Sequence, residues 1–318
     1  MNGFVDAFAS VQQWLFETLV QPVAFAAGAG NLLEDAYDGT GWLVVGLLQI
    51  AAMLLLIGPL QRLWPVEPVT DRQAVRVDVL YTLLHRLGLF KLLMFFTFEN
   101  WLGEGLGLLR AHGLGTLHLD QLWPGVTDGA LASFVLYLVV FDFVSYWLHR
   151  AQHQFHWWWS LHALHHAQRQ MTMWSDNRNH LLDSVLCDLV VVVVALLIGV
   201  APGQFVALVA ISQLTESLQH ANLRLWFGRI GERLWVSPRF HRMHHSMGLG
   251  HETQGQGTLG GCNFGVLLPW WDMLFGTANF ERRYDPTGVR DQVEQGRDYG
   301  RGFWAQQLQG FKRLFGRA

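Results

Sequence analysis

The chain has 318 residues, of which 51% are hydrophobic and 15% charged, with 15 Trp and 21 Phe. An average soluble chain is about 25% charged, so one membrane-embedded unit fits this composition better than two soluble domains. The formal net charge of -3 argues against a nucleic-acid partner, and Cys187 and Cys262, without a CxxC spacing, give neither a disulfide framework nor a cysteine-based zinc site.

Met1 to Ala27 lacks the basic region that a secretory signal needs. Within it, Phe8 to Ala27 holds Gln12, Gln13, Glu17 and Gln21, and reads as an interfacial helix or as a first, weaker span. Trp42 to Leu60 carries no charge and is long enough to cross a hydrocarbon core of about 30 Å at about 1.5 Å per residue. Val77 to Trp101 is apolar but interrupted by His85, Arg86 and Lys91, which implies a span that is partly shielded or that snorkels its basic ends. Leu131 to Leu148 contains one acid, Asp142, and runs directly into His149. Leu182 to Val200 and Phe205 to Leu218, joined by Ala201-Pro202-Gly203, read as a membrane hairpin.

The expected architecture is therefore all-α, with about four transmembrane helices and a cytoplasmic, histidine-rich cap that holds a di-metal centre. Met1 to Leu60 contains no Lys or Arg, whereas Arg62, Arg72 and Arg76 follow it. By the positive-inside rule the N-terminus lies outside, and the histidine segments and the tail are cytoplasmic.

Twelve of the 15 histidines fall between His149 and His251. His149 and His153 are an i, i+4 pair, so both rings face one way on a helix. His162-Ala-Leu-His165-His166 and His241-Arg-Met-His244-His245 each put three imidazoles at i, i+3 and i+4. Eight imidazoles exceed what one four-coordinate zinc ion uses, so two metals are implied. Imidazole suits Fe, Zn, Cu and Ni alike, but histidines bordering apolar helices suit a redox metal that uses O2 to oxidise a C–H bond of a lipid.

These motifs resemble the fatty acid hydroxylase/sterol desaturase superfamily of membrane di-iron enzymes over Phe141 to Thr277. The three histidine boxes, Arg178-Asn-His180, His220-Ala-Asn222, Asn263-Phe264-Gly265 and Trp271-Asp272 through Phe275-Gly276-Thr277 carry the resemblance. One departure is that His180 precedes Leu181 where many members have Pro. The resemblance implies two Fe ions, with zinc as a replacement in purified protein, and O2 as co-substrate. It divides the chain into a membrane region 1–130, a hydroxylase-like region 131–280 and a tail 281–318, in one unit. The implied ligands are His149, His153, His162, His165, His166, His180, His220, His241, His244 and His245. The implied activity is hydroxylation of a membrane lipid (fatty acyl, sterol or related), with desaturation at the same site as the alternative. No cytochrome b5-like segment is visible, so a separate electron donor, cytochrome b5-like or a ferredoxin, is expected.

Asp142 shares the face of His149 and is a candidate to orient that ring through its other nitrogen. Glu216, four residues before His220, is a candidate for the same task, Asp183 is a weaker one beside His180, and Asn263 is either such a partner or a turn residue. His85, His112, His118 and His156 read as ordinary packing or surface residues, and Trp157-Trp158-Trp159 as an interfacial anchor. Two rivals remain. A metalloprotease lacks support because His251-Glu252 does not continue into HExxH, and a metal transporter would spread its histidines across the bilayer.

Overall fold

The computed structural model describes residues 2–94, 97–98, 100–248 and 260–317; the His251-Glu252 pair and parts of the Val77 to Trp101 stretch lie outside the described residues. Among the described residues the chain is helical and forms no strand, only an isolated bridge between Ser246 and Thr287. The helices that position the site are α1 (Asn2–Leu15), α2 (Gly30–Leu63), α3 (Arg72–Arg86), α4 (Leu89–Met94), α5 (Ala130–Gln154), α6 (His156–His166), α7 (Leu181–Ile198), α8 (Pro202–His220), α9 (Pro238–His244) and α10 (Phe303–Leu314).

Three of these, α2, α5 and α7, are long and apolar enough to cross a membrane. Helix α8 has 19 residues but is not among them. The reason is local: Gln213, Glu216 and Gln219 line a cavity, and Gln204 bonds the Ser133 hydroxyl at 2.8 Å. The turn between α7 and α8 follows the expected chemistry, with Gly199 in the left-handed region (φ 67°) ending one helix and Pro202 opening the next.

The stretch expected as a further span is instead two helices, α3 and α4, separated at Gly88 (φ 82°). Its charges are internal. Arg86 pairs with Asp176 at 2.8 Å, and Asp78 pairs with Arg178, which fastens α3 to the segment before α7. Lys91 lies over the Trp42 ring, 4.4 Å from its centroid. The segment from Phe8 to Ala27 is helical and lies along α2, with Gln12 bonding the Tyr37 carbonyl at 2.9 Å and Phe16 against the Tyr37 ring.

The helices sort the chain into two ends. At one end Arg224 bonds the Trp64 carbonyl at 2.8 Å, and the Asn222 side chain accepts from Val66 and Glu67. The end of α2 and the end of α8 therefore meet there, beside the histidine boxes. At the other end Leu117 bonds Leu197 at 2.8 Å, and Tyr137 donates to the Ile198 carbonyl at 3.1 Å. The turn after α7 and the loop before α5 close that end.

Helix α10 packs by one face on α6, where Arg313 donates to the Ser160 carbonyl at 3.1 Å. Its other face is an exposed apolar stripe of Trp304, Leu308, Phe311 and Phe315.

The contact between α2 and α3 depends on one glycine. A Cβ on Gly46 would lie 1.7 Å from the Arg86 carbonyl oxygen, while one on Gly39 would meet nothing within 4 Å. Gly46→Ala should therefore destabilise the protein by roughly 1–3 kcal/mol or more, as overpacking does. Thermal unfolding in detergent should show a lower midpoint for Gly46→Ala and none of that loss for Gly39→Ala; equal midpoints would refute the close approach.

Candidate metal centre

Nine histidines converge in two adjoining groups. His149 and His153 from α5, His162 and His166 from α6, and His244 from α9 form one. His165 from α6, His220 from the end of α8, and His241 and His245 from α9 and its cap form the other. Within each group every ligand nitrogen lies within 4.8 Å of the others, and all nine rings are buried.

Helical periodicity explains the division. Positions i and i+4 diverge by about 40° around a helix and i+3 falls on the other side by about 60°. In each box the i, i+4 pair serves one group: His149 with His153, His162 with His166, and His241 with His245. The i+3 residue of each triplet, His165 or His244, reaches the other group. Two helices thus exchange one ring each.

Hydrogen bonding fixes the tautomers of several rings. The Nδ1 atoms of His149, His153, His244 and His220 lie 2.9, 3.2, 2.7 and 2.8 Å from the carbonyls of Phe264, Gly260, Cys262 and Glu216. A carbonyl only accepts, so each Nδ1 donates and each Nε2 carries a bare lone pair. His162 is held likewise, its Nδ1 3.1 Å from the Asp183 carboxylate.

Those lone pairs face one another. The Nε2 atoms of His153 and His244 both lie 3.1 Å from His166 Nε2, which has at most one proton to give. His220 Nε2, with one lone pair, has His165 Nε2 at 3.1 Å and His241 Nε2 at 3.0 Å. His162 Nε2 and the Nδ1 atoms of His165, His241 and His245 are buried with no hydrogen-bond partner. A cation in each group resolves the conflict, because the lone pairs then point at it. The spacing agrees: two nitrogens about 2.1 Å from one ion at right angles lie about 3.0 Å apart. The residues present fit a pair of metal ions.

Electrostatics favour the neutral, ligating form. Burial, and then repulsion from neighbouring imidazoles, hold His165, His166, His241 and His245 well below the usual histidine range. At His244 burial outweighs the opposing pull of the Cys262 carbonyl and holds the ring at about 3. A neutral imidazole is what a metal takes.

The carbonyls that aim three of these rings come from the turn 260–265, and the downstream motif holds that turn. Asp272 accepts from the amides of Phe264 and Gly265 at 2.8 and 2.7 Å and from the Thr277 hydroxyl at 2.6 Å. A Cβ on Gly265 would sit 2.8 Å from the Asp272 carboxylate. Asn263 has φ 57°, donates to the Phe240 and Asn279 carbonyls, and accepts from the Asn279 amide. It is a turn residue that clips α9 to the downstream segment.

Three of the expected residues have other partners in this geometry. Asp142 does not touch His149; it accepts from the Leu267 and Leu268 amides and from the Trp271 indole, at 2.7, 3.1 and 2.9 Å. It therefore anchors the strap whose Phe264 carbonyl orients His149. Glu216 meets His220 through its backbone carbonyl, and its carboxylate turns to the cavity. His180 lies outside both groups. Its Nε2 bonds the Gln307 carbonyl at 2.9 Å, its Nδ1 accepts from the Leu182 amide to cap α7, and Gly310 leaves room for the ring.

Asp183 does more than its place beside His180 suggests, accepting from Gln152 and Trp158 at 2.7 Å as well as engaging His162. An acid in the first turn of a largely apolar span is the signal that points to it. The tryptophan run also divides: Trp157 is exposed and stacks on Trp158, while Trp159 lies against His153 and His166. None of His85, His112, His118 and His156 is in either group.

Fold and site together define an α-helical protein with membrane-crossing helices and a two-part histidine centre able to hold two metal ions. Residues 134–277 match the family described as fatty acid hydroxylase. The chain is 29% identical over 196 residues to an ornithine lipid hydroxylase of Rhizobium tropici, covering 61% of this chain and 54% of that one. It is 26% identical to an alkylglycerol monooxygenase of Caenorhabditis elegans, covering 48% and 28%, and 25% identical to a delta(7)-sterol 5(6)-desaturase of Gibberella zeae, covering 54% and 48%. The chain thus spans about half, or less, of the length of these relatives. No solved structure matches.

The geometry separates two kinds of histidine. Metal analysis should find His162→Ala and His241→Ala depleted of metal, whereas His180→Ala should keep the wild-type metal content while unfolding at lower temperature. Metal loss in His180→Ala at unchanged stability would reverse the assignment.

Proposed function

We propose that this chain is a lipid C–H hydroxylase whose two histidine groups hold a pair of iron ions. The observation that carries this reading is a partly open cavity of about 320 Å³ that reaches both groups. His149 and His162 of the first and His165, His220 and His241 of the second line it, and it continues between α5, α7 and α8 to Phe141, Val191, Val192 and Phe205. Apolar helices that lead to buried imidazoles suit a lipid chain better than a water-soluble substrate. The relatives' names, a lipid hydroxylase, an alkylglycerol monooxygenase and a sterol desaturase, support the same class of chemistry. A transport path would string its donors through the bilayer, whereas these nine sit together.

Iron pairs of this kind supply O2 activation and the removal of hydrogen from an unactivated C–H bond. One oxygen atom enters the C–H bond and the other leaves as water, which takes two electrons from a separate donor protein and two protons from solvent. The chain's own residues do the rest. The carbonyls of Gly260, Cys262, Phe264 and Glu216 and the Asp183 carboxylate hold five rings in one tautomer and orientation. The apolar walls position the chain and keep bulk water from the centre.

The protein as purified should hold about two metal ions per chain, mostly iron, with zinc in part of the molecules. With a reductant and a membrane lipid extract it should transfer label from 18O2 into a lipid, and His165→Ala should lose that turnover by at least about 100-fold while keeping its helical content. Full turnover in His165→Ala would sink the site.

The proposed orientation places the N-terminus outside and the histidine end and α10 in the cytoplasm, on the absence of Lys and Arg from Met1 to Leu60. In a bacterial host a C-terminal fluorescent-protein fusion should be bright and a C-terminal alkaline phosphatase fusion inactive; the opposite pair of results would invert the topology.

A further inference from the structure

Helix α10 is polar where it is buried and apolar where it is exposed. Phe303, Gln306, Gln307, Gly310 and Arg313 face the protein, while Trp304, Leu308, Phe311 and Phe315 face outward, Trp304 by 78%. At about 100° per residue those four, at i, i+4, i+7 and i+11, fall within about 60° of one another. A helix packed on a protein in water shows the reverse pattern. A contiguous apolar stripe of this kind marks a surface that meets a membrane or another protein.

The position of α10 decides between these two. It crosses the beginning of α7, a span of which only 6% is buried, so that lipid covers nearly all of it. The Gln307 side chain accepts from the amide of Leu181, the first residue of that span, at 2.8 Å, and donates to the Tyr81 hydroxyl at 2.8 Å. Phe311, from the stripe itself, meets the His180 ring edge-on with 4.6 Å between centroids. The stripe therefore begins where the lipid-covered surface of α7 ends. The neighbouring span marks the same level. Phe155 and Trp157, just beyond α5, are exposed at the start of α6, the helix on which α10 packs. Exposed aromatic rings at the end of a span belong to the boundary between membrane and water.

The charges agree with a lipid surface. From Tyr299 to Ala318 there are four basic residues and no acidic one. Arg313 is spent on the Ser160 carbonyl and the Tyr299 ring, but Arg301 and Arg317 are exposed on either side of the helix. Lys312 lies about 70° round from the centre of the stripe, on the side away from the buried face. A long basic side chain there reaches the phosphates while the stripe sits about 5–10 Å into the headgroup and acyl boundary. We infer that α10 lies in the bilayer surface, with its apolar stripe in lipid and Arg301, Lys312 and Arg317 on anionic headgroups. Helix α6, which carries His162, His165 and His166, is thereby fastened to a helix seated in the membrane boundary. This holds whatever reaction the metal centre performs, provided that α7 spans.

The test is photocrosslinking of the full chain in the membranes of a bacterial host, with a benzophenone side chain at Trp304, Leu308 or Phe311 in turn. Leu55, exposed on the span α2, serves as the lipid-facing reference. Each stripe variant with wild-type metal content should give a protein–lipid adduct by mass, in a yield comparable to that from Leu55; should one variant fail to fold, the other two positions carry the test. A crosslinked pair of chains would give the stripe to a second copy, a crosslink to another protein would give it to a partner, and no adduct while Leu55 reacts would give it to water. Each of these overturns the proposal. Anionic lipid should be enriched about fivefold in the Phe311 adducts relative to those of Leu55, and Lys312→Gln/Arg317→Gln should remove the enrichment. Equal proportions at the two positions overturn the part given to the basic residues.

Discussion

The structure depends on lone pairs directed at one another. A buried imidazole whose Nδ1 donates to a carbonyl must turn an unprotonated nitrogen inward, and in each group several such nitrogens are pressed to about 3 Å. Without a cation this arrangement is unfavourable. With one it is a preformed cage, whose outer contacts choose which nitrogen does the binding. Much of the rest of the fold supplies those outer contacts, from the 260–265 turn to the Asp183 carboxylate.

The support is itself layered. Asp142 inside α5 holds the amides of Leu267 and Leu268, Asp272 holds those of Phe264 and Gly265, and Asn263 ties both to α9. Each link is a buried carboxylate or amide with all its neighbours engaged, the condition under which a polar network rigidifies a core. The same logic operates on the opposite side of the cavity. There Arg86 gathers Asp176, Gln213 and Ser217, and so ties α3, the 172–180 segment and α8 into one wall.

The resemblance to the fatty acid hydroxylase family, the helical fold and the histidine boxes are legible in the sequence because each rests on local spacing. An i, i+4 pair shares a face wherever the helix goes, and an uncharged run such as Trp42 to Leu60 has few other uses. What was not legible depends on distant partners. His180 reads as a donor until Gln307, far along the chain, is seen to take its ring. Asp142 lies on the helix face of His149, as its spacing predicts, but the amides it holds arrive from residues 267–268. Helix α8 resembled a plain span because its polar residues could not be assigned to a cavity before its walls were known. The splitting of each triplet between two groups follows from helical geometry, yet only the crossing of α6 and α9 shows which group each ring joins.

The parts of the centre are dispersed in a way that orders its biogenesis. His149 and His153 leave the ribosome early, but their group also needs His244 and the carbonyls of Gly260, Cys262 and Phe264. Helix α6, which contributes to both groups, is clamped later still by Arg313 through the Ser160 carbonyl. No partial chain that stops short of the 260–265 turn presents a finished cage. Neither group is complete before α9 and the 260–265 turn have been made, so a metal pair can be held only late in the making of the protein.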